Sequence, residues 1–164
     1  MYLNQDQIRE LDLITREALD ILYLEDVVLL SRSGLEQSLA FRFGIYFHSR
    51  IKDVEWLSTL DLDMEYSKNG NDPKRTPTKP NGSRPDLILH SRENNDNNVL
   101  IIEFKGWWNS QKRSVDRNKI LDFTNFEGDY IYGLGILIEF KKNRYVLELI
   151  QGNSTLNLSE VPLI

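Results

Sequence analysis

The sequence predicts a mixed α/β (α+β) domain built around one central sheet. Apolar residues recur at helical spacing near the N-terminus. Two short runs dense in Ile, Leu and Val, 86–90 and 99–104, then read as strands, and a helical stretch leads from them into two further strands. The 164 residues fit a single domain spanning 1–164. With 40% of residues apolar and 27% charged, the composition is that of a soluble globular protein rather than a disordered or membrane-embedded chain. No apolar run approaches the roughly 20 residues that span a bilayer, so no membrane partner is expected. The start Met1-Tyr2-Leu3-Asn4 lacks the features of a signal peptide. There is no cysteine, hence no disulfide and no thiolate metal ligand, and a cytoplasmic location is expected.

In chain order, Asp6 to Leu22 places Ile8, Leu11, Ala18 and Leu22 on one helical face. Leu24 to Leu30 either continues that helix or forms a separate turn. Ser33-Gly34-Leu35-Glu36 has the Ser-x-x-Glu form of a capping box. It opens a helix to about Arg50, with Leu39, Phe43, Tyr46 and Phe47 inward. Val54 to Tyr66 reads as a strand, with Asp61, Asp63 and Glu65 on one face. Ser67 to Arg84, rich in Pro, Gly, Asn and Lys, reads as a long and mobile loop. Asp86–His90 and Val99–Phe104 form a hairpin around Arg92–Asn97. Val115 to Phe126 is a helix with Ile120 and Phe123 inward. Tyr130–Phe140 and Tyr145–Ile150 are strands joined at Lys142-Asn143. The order is an extra N-terminal helix, then helix, three strands, helix and two strands.

The net charge of −5 argues at first against a nucleic-acid partner, but its distribution is uneven. Ser67–Arg84 holds five basic residues (Lys68, Lys74, Arg75, Lys79, Arg84) against Asp72. Lys105–Lys119 holds five (Lys105, Lys112, Arg113, Arg117, Lys119) against Asp116. A solvated face explains either run alone. Their position on both sides of a pair of carboxylates raises the weight of phosphate binding.

Those carboxylates are the centre of the reading. A hairpin symmetric about Asn94 and Asn95 pairs Ile88 with Ile101 and Asp86 with Glu103. Directly opposed Cβ atoms lie about 4.5–5.5 Å apart. Two carboxylates so close, in an otherwise apolar pair of strands, are costly unless a cation or a donor compensates, and a bound divalent ion would do so. Hard oxygen ligands suit Mg2+ or Mn2+. Lys105, two residues beyond Glu103, projects from the same face. A plain Glu103–Lys105 salt bridge would explain an isolated Glu-x-Lys; the opposed Asp86 and the flanking basic segments shift the balance to a site.

Pro85-Asp86, a gap of 16 residues, and Glu103-Phe104-Lys105 resemble the PD-(D/E)XK nuclease superfamily. The resemblance covers about Ser33 to Ile150, a core of about 33–150. It implies a restriction-endonuclease-like fold of order αβββαβ. Leu62-Asp63-Met64-Glu65-Tyr66 with Arg84-Pro85-Asp86 looks like a subgroup of small bacterial members, often of unassigned role. Asp116 and Lys119 are similar to an Asp-x-x-Lys pair of that subgroup, as is Tyr132-Gly133 ahead of the next strand. The resemblance implies metal-dependent hydrolysis of phosphodiester bonds, most readily of DNA. Asp86 and Glu103 would hold the metal, and Lys105 would act on the water and the phosphate. Glu36 would join the catalytic set from the first core helix, against its competing reading as a capping-box residue. Glu65 or Asp63 would complete the metal shell. Lys74, Arg75, Lys79, Arg84, Lys112, Arg113 and Lys119 are candidate nucleic-acid contacts. Small nucleases of this kind often act as homodimers. The alternative is a non-catalytic module of the same fold that binds nucleic acid or a protein partner. His90 and His48 read as structural and surface residues. Of Trp107 and Trp108, at least one reads as packing rather than base stacking.

Overall fold

The computed structural model describes residues 1–92 and 94–162. Helix α1 (Gln5–Glu25) starts at Asn4, whose side chain accepts from the N–H groups of Asp6 and Gln7, while the Gln7 side chain accepts from the Asn4 N–H. It buries Leu11, Ala18 and Leu22 and leaves Ile8 half-buried. The chain breaks at Asp26, so Val27–Ser31 is a separate short helix, α2. Helix α3 (Glu36–Ile51) buries Leu39, Phe43 and Phe47, with Tyr46 half-buried.

The expected capping box does not form. Leu35 is the N-cap and makes no side-chain cap bond. A capping-box glutamate sits at the third helical position; Glu36 is at the first, and its carboxylate leaves the helix. The expected strand over 54–66 also shortens, to β1 (Asp61–Met64). Residues 54–60 wind into turns instead, with Leu57 N–H bonded to Val54 O and Leu60 N–H to Leu57 O, both at 3.0 Å. That path buries Leu57.

The basic insert carries a small hairpin of β2 (Lys68–Asn69) and β3 (Asp72–Pro73). The main sheet continues with β4 (Leu87–His90), β5 (Leu100–Gly106), β6 (Leu134–Phe140), β7 (Arg144–Gln151) and β8 (Ser154–Pro162). Its order is β1-β4-β5-β6-β7-β8, antiparallel except for the parallel pair β5 and β6. A parallel pair needs a crossover, and helix α4 (Arg113–Thr124) supplies it. β8 is an element the sequence reading lacked. Both faces are covered, as near-continuous apolar strands require. Leu87, Leu89, Leu100, Ile102 and Phe104 pack with α1 and α3. Ile88, Ile101 and Leu137 pack with Ile120 and Phe123 of α4. No helix among the described residues is long and apolar enough to cross a membrane.

Gly135 fixes the depth of α4. A Cβ there would lie 2.2 Å from Ile120 Cγ2 and 3.1 Å from Thr124 Cγ2. Only a glycine lets the helix approach β6 this closely, and that approach brings the side chains of α4 over the end of β5.

Candidate active site

Period-two alternation puts Glu103 and Lys105 on the same side of β5 as Ile101, toward α4. The observed register pairs Ile88 with Ile101 and Leu87 with Ile102. One step further, Asp86 stands beside Glu103. Asp86 N–H donates to Glu103 Oε1 at 3.3 Å, and Phe104 N–H donates to Asp86 Oδ2 at 2.8 Å. The hairpin register expected from symmetry is therefore the one adopted, and the two carboxylates meet at the strand end.

Each lysine expected near them takes a different partner. Lys105 Nζ bonds Asp116 Oδ2 at 3.1 Å and is 6% exposed. Lys119, one turn further along α4, bonds Glu103 Oε2 at 2.6 Å and the carbonyl of Arg84 at 3.1 Å. Burial, with the Asp86 charge beside it, pushes the Glu103 carboxyl well above the usual carboxylate range, and Lys119 only partly offsets this. Burial also raises Asp86, against the Phe104 N–H and Lys119, which lower it. Burial works against the Lys119 ammonium too, but the Glu103 charge and hydrogen bond outweigh it, and its pKa stands above the usual lysine value. Glu103 is drawn toward neutrality while its partner is drawn toward charge. The 2.6 Å contact supports the ionised pair. One ammonium, bonded to Glu103, then faces both buried Glu103 and half-buried Asp86, and the site is short of positive charge.

Glu36 reaches the same place from the opposite layer. Its Oε2 accepts from Gly106 N–H at 2.5 Å and from Asn109 Nδ2 at 3.2 Å. It caps the carboxyl end of β5 rather than its own helix. A cavity of about 310 Å³ opens here, lined among others by Glu36, Asp86, Glu103, Asp116 and Lys119. Lys105 is not among its lining residues.

The remaining candidates divide. Glu65 lines the cavity, with bonds to Gln37 at 3.0 Å and to Arg84 at 3.5 Å, at φ 51°. Asp63 does not line it: Arg92 holds it at 2.6 Å and His90 at 3.1 Å, and this pairing, above all with Arg92, holds its pKa below the usual value. His90 is buried and structural, edge-on to Tyr66. Of the expected nucleic-acid contacts, Lys79 and Arg84 line the cavity, and Arg75 and Lys112 are exposed elsewhere on the surface. Lys74 does not serve: it is 1% exposed, folded under the insert among Tyr66, Tyr130 and Tyr132. Arg113 is tied to Glu139 at 2.8 Å and Glu148 at 3.1 Å. The insert is thus anchored rather than loose, with the Thr78 N–H bonded to Asp122 at 3.0 Å. Trp107 donates to the Leu30 carbonyl at 3.1 Å, and Trp108 packs on the core. His48 is exposed. Asn109 and Ser83, which no motif marks, also line the cavity; the Ser83 hydroxyl is buried without a hydrogen-bond partner.

Among the described residues no group of three or more His, Asp or Glu side chains is disposed to hold a metal ion by itself. Magnesium is commonly held by one or two carboxylates, with waters and substrate phosphates completing the octahedron. Asp86 and Glu103, two hard oxygen donors with the single Lys119 ammonium against them, fit that pattern. Comparisons of the chain with protein-family models, with curated proteins and with solved structures find no match.

Proposed function

We propose that the protein is a metal-dependent nuclease hydrolysing phosphodiester bonds, most readily those of DNA, on a PD-(D/E)XK-type core. One observation carries the reading: half-buried Asp86 and buried Glu103 sit side by side, under-compensated, at a strand end that opens into a cavity edged by Lys79 and Arg84. With β2 and β3 of the insert set aside, the succession α3, β1, β4, β5, α4 and β6 is compatible with the order αβββαβ. Bound Mg2+ or Mn2+ would polarise a phosphoryl oxygen and acidify a water. Asp86 and Glu103 would hold it. Glu36, fixed by Gly106 and Asn109, would orient a water ligand. Lys79 and Arg84 would receive the flanking phosphates, as basic side chains do along a nucleic-acid backbone.

The test is cleavage of single- and double-stranded DNA and of RNA with Mg2+, with Mn2+ and with EDTA. Metal-dependent products are expected from the wild type and none from Asp86→Ala or Glu103→Ala. Cleavage that survives EDTA, or survives both substitutions, refutes the proposal. The Lys119–Glu103 ion pair is the observation that favours a second reading, a non-catalytic module of the same fold, because a paired glutamate needs no metal. That reading expects nucleic-acid or protein binding without cleavage.

A further inference from the structure

The ammonium that meets Glu103 belongs to Lys119, not to Lys105 of the Glu-x-Lys motif. Lys119 Nζ lies 2.6 Å from Glu103 Oε2 and 3.1 Å from the Arg84 carbonyl, and its side chain lines the cavity. Lys105 faces Asp116 instead, 8% exposed by side chain. A divalent cation held by Asp86 and Glu103 would have to share the Glu103 carboxylate with that ammonium. Two cations at one carboxylate repel each other, so each weakens the other's hold on Glu103.

We propose that Lys119 is a displaceable counter-ion, which holds Glu103 in the metal-free protein, yields it when a divalent cation binds, and then projects into the cavity toward the phosphate. This rests on the nuclease reading above and adds a residue that the motif does not contain. Lys119 is suited to it. A lysine is a point charge on a flexible stem and can change partner without breaking a bidentate geometry. Its second acceptor, the Arg84 carbonyl, belongs to the segment entering β4 beside Asp86, so the released ammonium stays at the mouth of the site. Lys105 becomes a positioning residue, which holds Asp116 on the first turns of α4.

The two cations are linked. If they compete, removing the ammonium strengthens metal binding, which a purely structural lysine would not do. Manganese(II) chloride is titrated calorimetrically into the wild type, Lys119→Met and Lys79→Met. Lys79 lines the cavity and serves as the control for loss of a nearby charge. Lys119→Met should bind manganese about tenfold more tightly, and Lys79→Met within about twofold of the wild type. Metal-free Lys119→Met should melt below the wild type, with the gap closing at saturating manganese. Equal shifts in the two variants, or weaker binding by Lys119→Met, overturn the inference. If Lys119→Met does not fold without metal, Lys119→Gln, which keeps a donor for Glu103 without the charge, is read with the same expectations. A wild type that binds no manganese overturns the nuclease reading itself; binding that Glu103→Ala abolishes and Lys119→Met leaves unchanged overturns only the role of Lys119.

Discussion

Lys74 is a cation buried at a cost that one substitution should relieve. Its side chain is 1% exposed, and among the described residues no carboxylate lies within ion-pair distance. Burial lowers its pKa from the ordinary 10.5 to about 8. Each pH unit between those values is worth about 1.4 kcal/mol, so the charged form costs the folded state about 3 kcal/mol at neutral pH. The rings of Tyr130, Tyr66 and Tyr132, with centroids 4.8, 5.7 and 5.9 Å from Nζ, return about 0.5–2 kcal/mol. Lys74→Met fills similar volume without a charge. Main-chain bonds from Lys74 N–H to Ser67 O and from Ser83 N–H to Lys74 O, both 2.6 Å, hold the backbone in place. The variant should therefore be about 1–3 kcal/mol more stable than the wild type at pH 7. The pH dependence follows from the lowered value. Between about 8 and 10.5 the unfolded chain keeps a proton that the folded chain has released, so wild-type stability gains with rising pH and the advantage of Lys74→Met disappears. Tyr130 and Tyr132 are raised above 10.0 by burial and keep their protons longer than free tyrosine would. Urea unfolding of both proteins from pH 6 to 10.5 measures the gap. A less stable Lys74→Met at pH 7, or a gap that does not narrow with pH, refutes the reasoning.

Three further outcomes are expected. Glu36→Gln should change stability by less than about 1 kcal/mol, because Gln Oε1 can still accept from Gly106 N–H, yet cleavage or metal affinity should fall sharply; full activity in a folded variant removes Glu36 from the site. Lys79→Ser with Arg84→Ser should reduce the slope of log affinity against log salt for duplex DNA by about 1.8, and an unchanged slope assigns both charges to solubility. Burial tends to raise Glu148, but Arg117, Thr155 and Arg113 outweigh it and hold its pKa below 4.5. Glu148→Gln should therefore cost about 1–2 kcal/mol at pH 7. That cost should shrink as pH falls from 4.5 through the lower folded value, and a gap that stays constant under acid unfolding contradicts the assigned network.

The elements were legible where a periodicity was strong and long. Leu11, Ala18 and Leu22 mark α1, and Leu39, Phe43 and Phe47 mark α3, because a helix must bury one stripe. Strands β4 and β5 and their register followed from the apolar runs and the loop between them, so the meeting of Asp86 with Glu103 was also legible. Residues 54–60 misled, because Val54, Trp56 and Leu57 alternate no more clearly in a strand than in a set of turns. β8 was missed because Ser154-Thr155-Leu156-Asn157-Leu158 is too polar to read as a buried strand, and its pairing partner β7 alone makes it one.

The sequence by itself determined which carboxylates adjoin, since strand alternation and hairpin symmetry are local properties carried by neighbouring residues. Only the tertiary structure decided which cation each carboxylate meets. Lys119 rather than Lys105 reaches Glu103, Lys105 turns to Asp116, Lys74 goes under the insert, and Glu36 caps β5 instead of α3. Those pairings depend on how deeply α4 settles on β6 at Gly135 and on where α3 begins relative to the end of β5. Both are set by packing between elements far apart in the chain, and a spacing rule along one strand or helix carries no information about them.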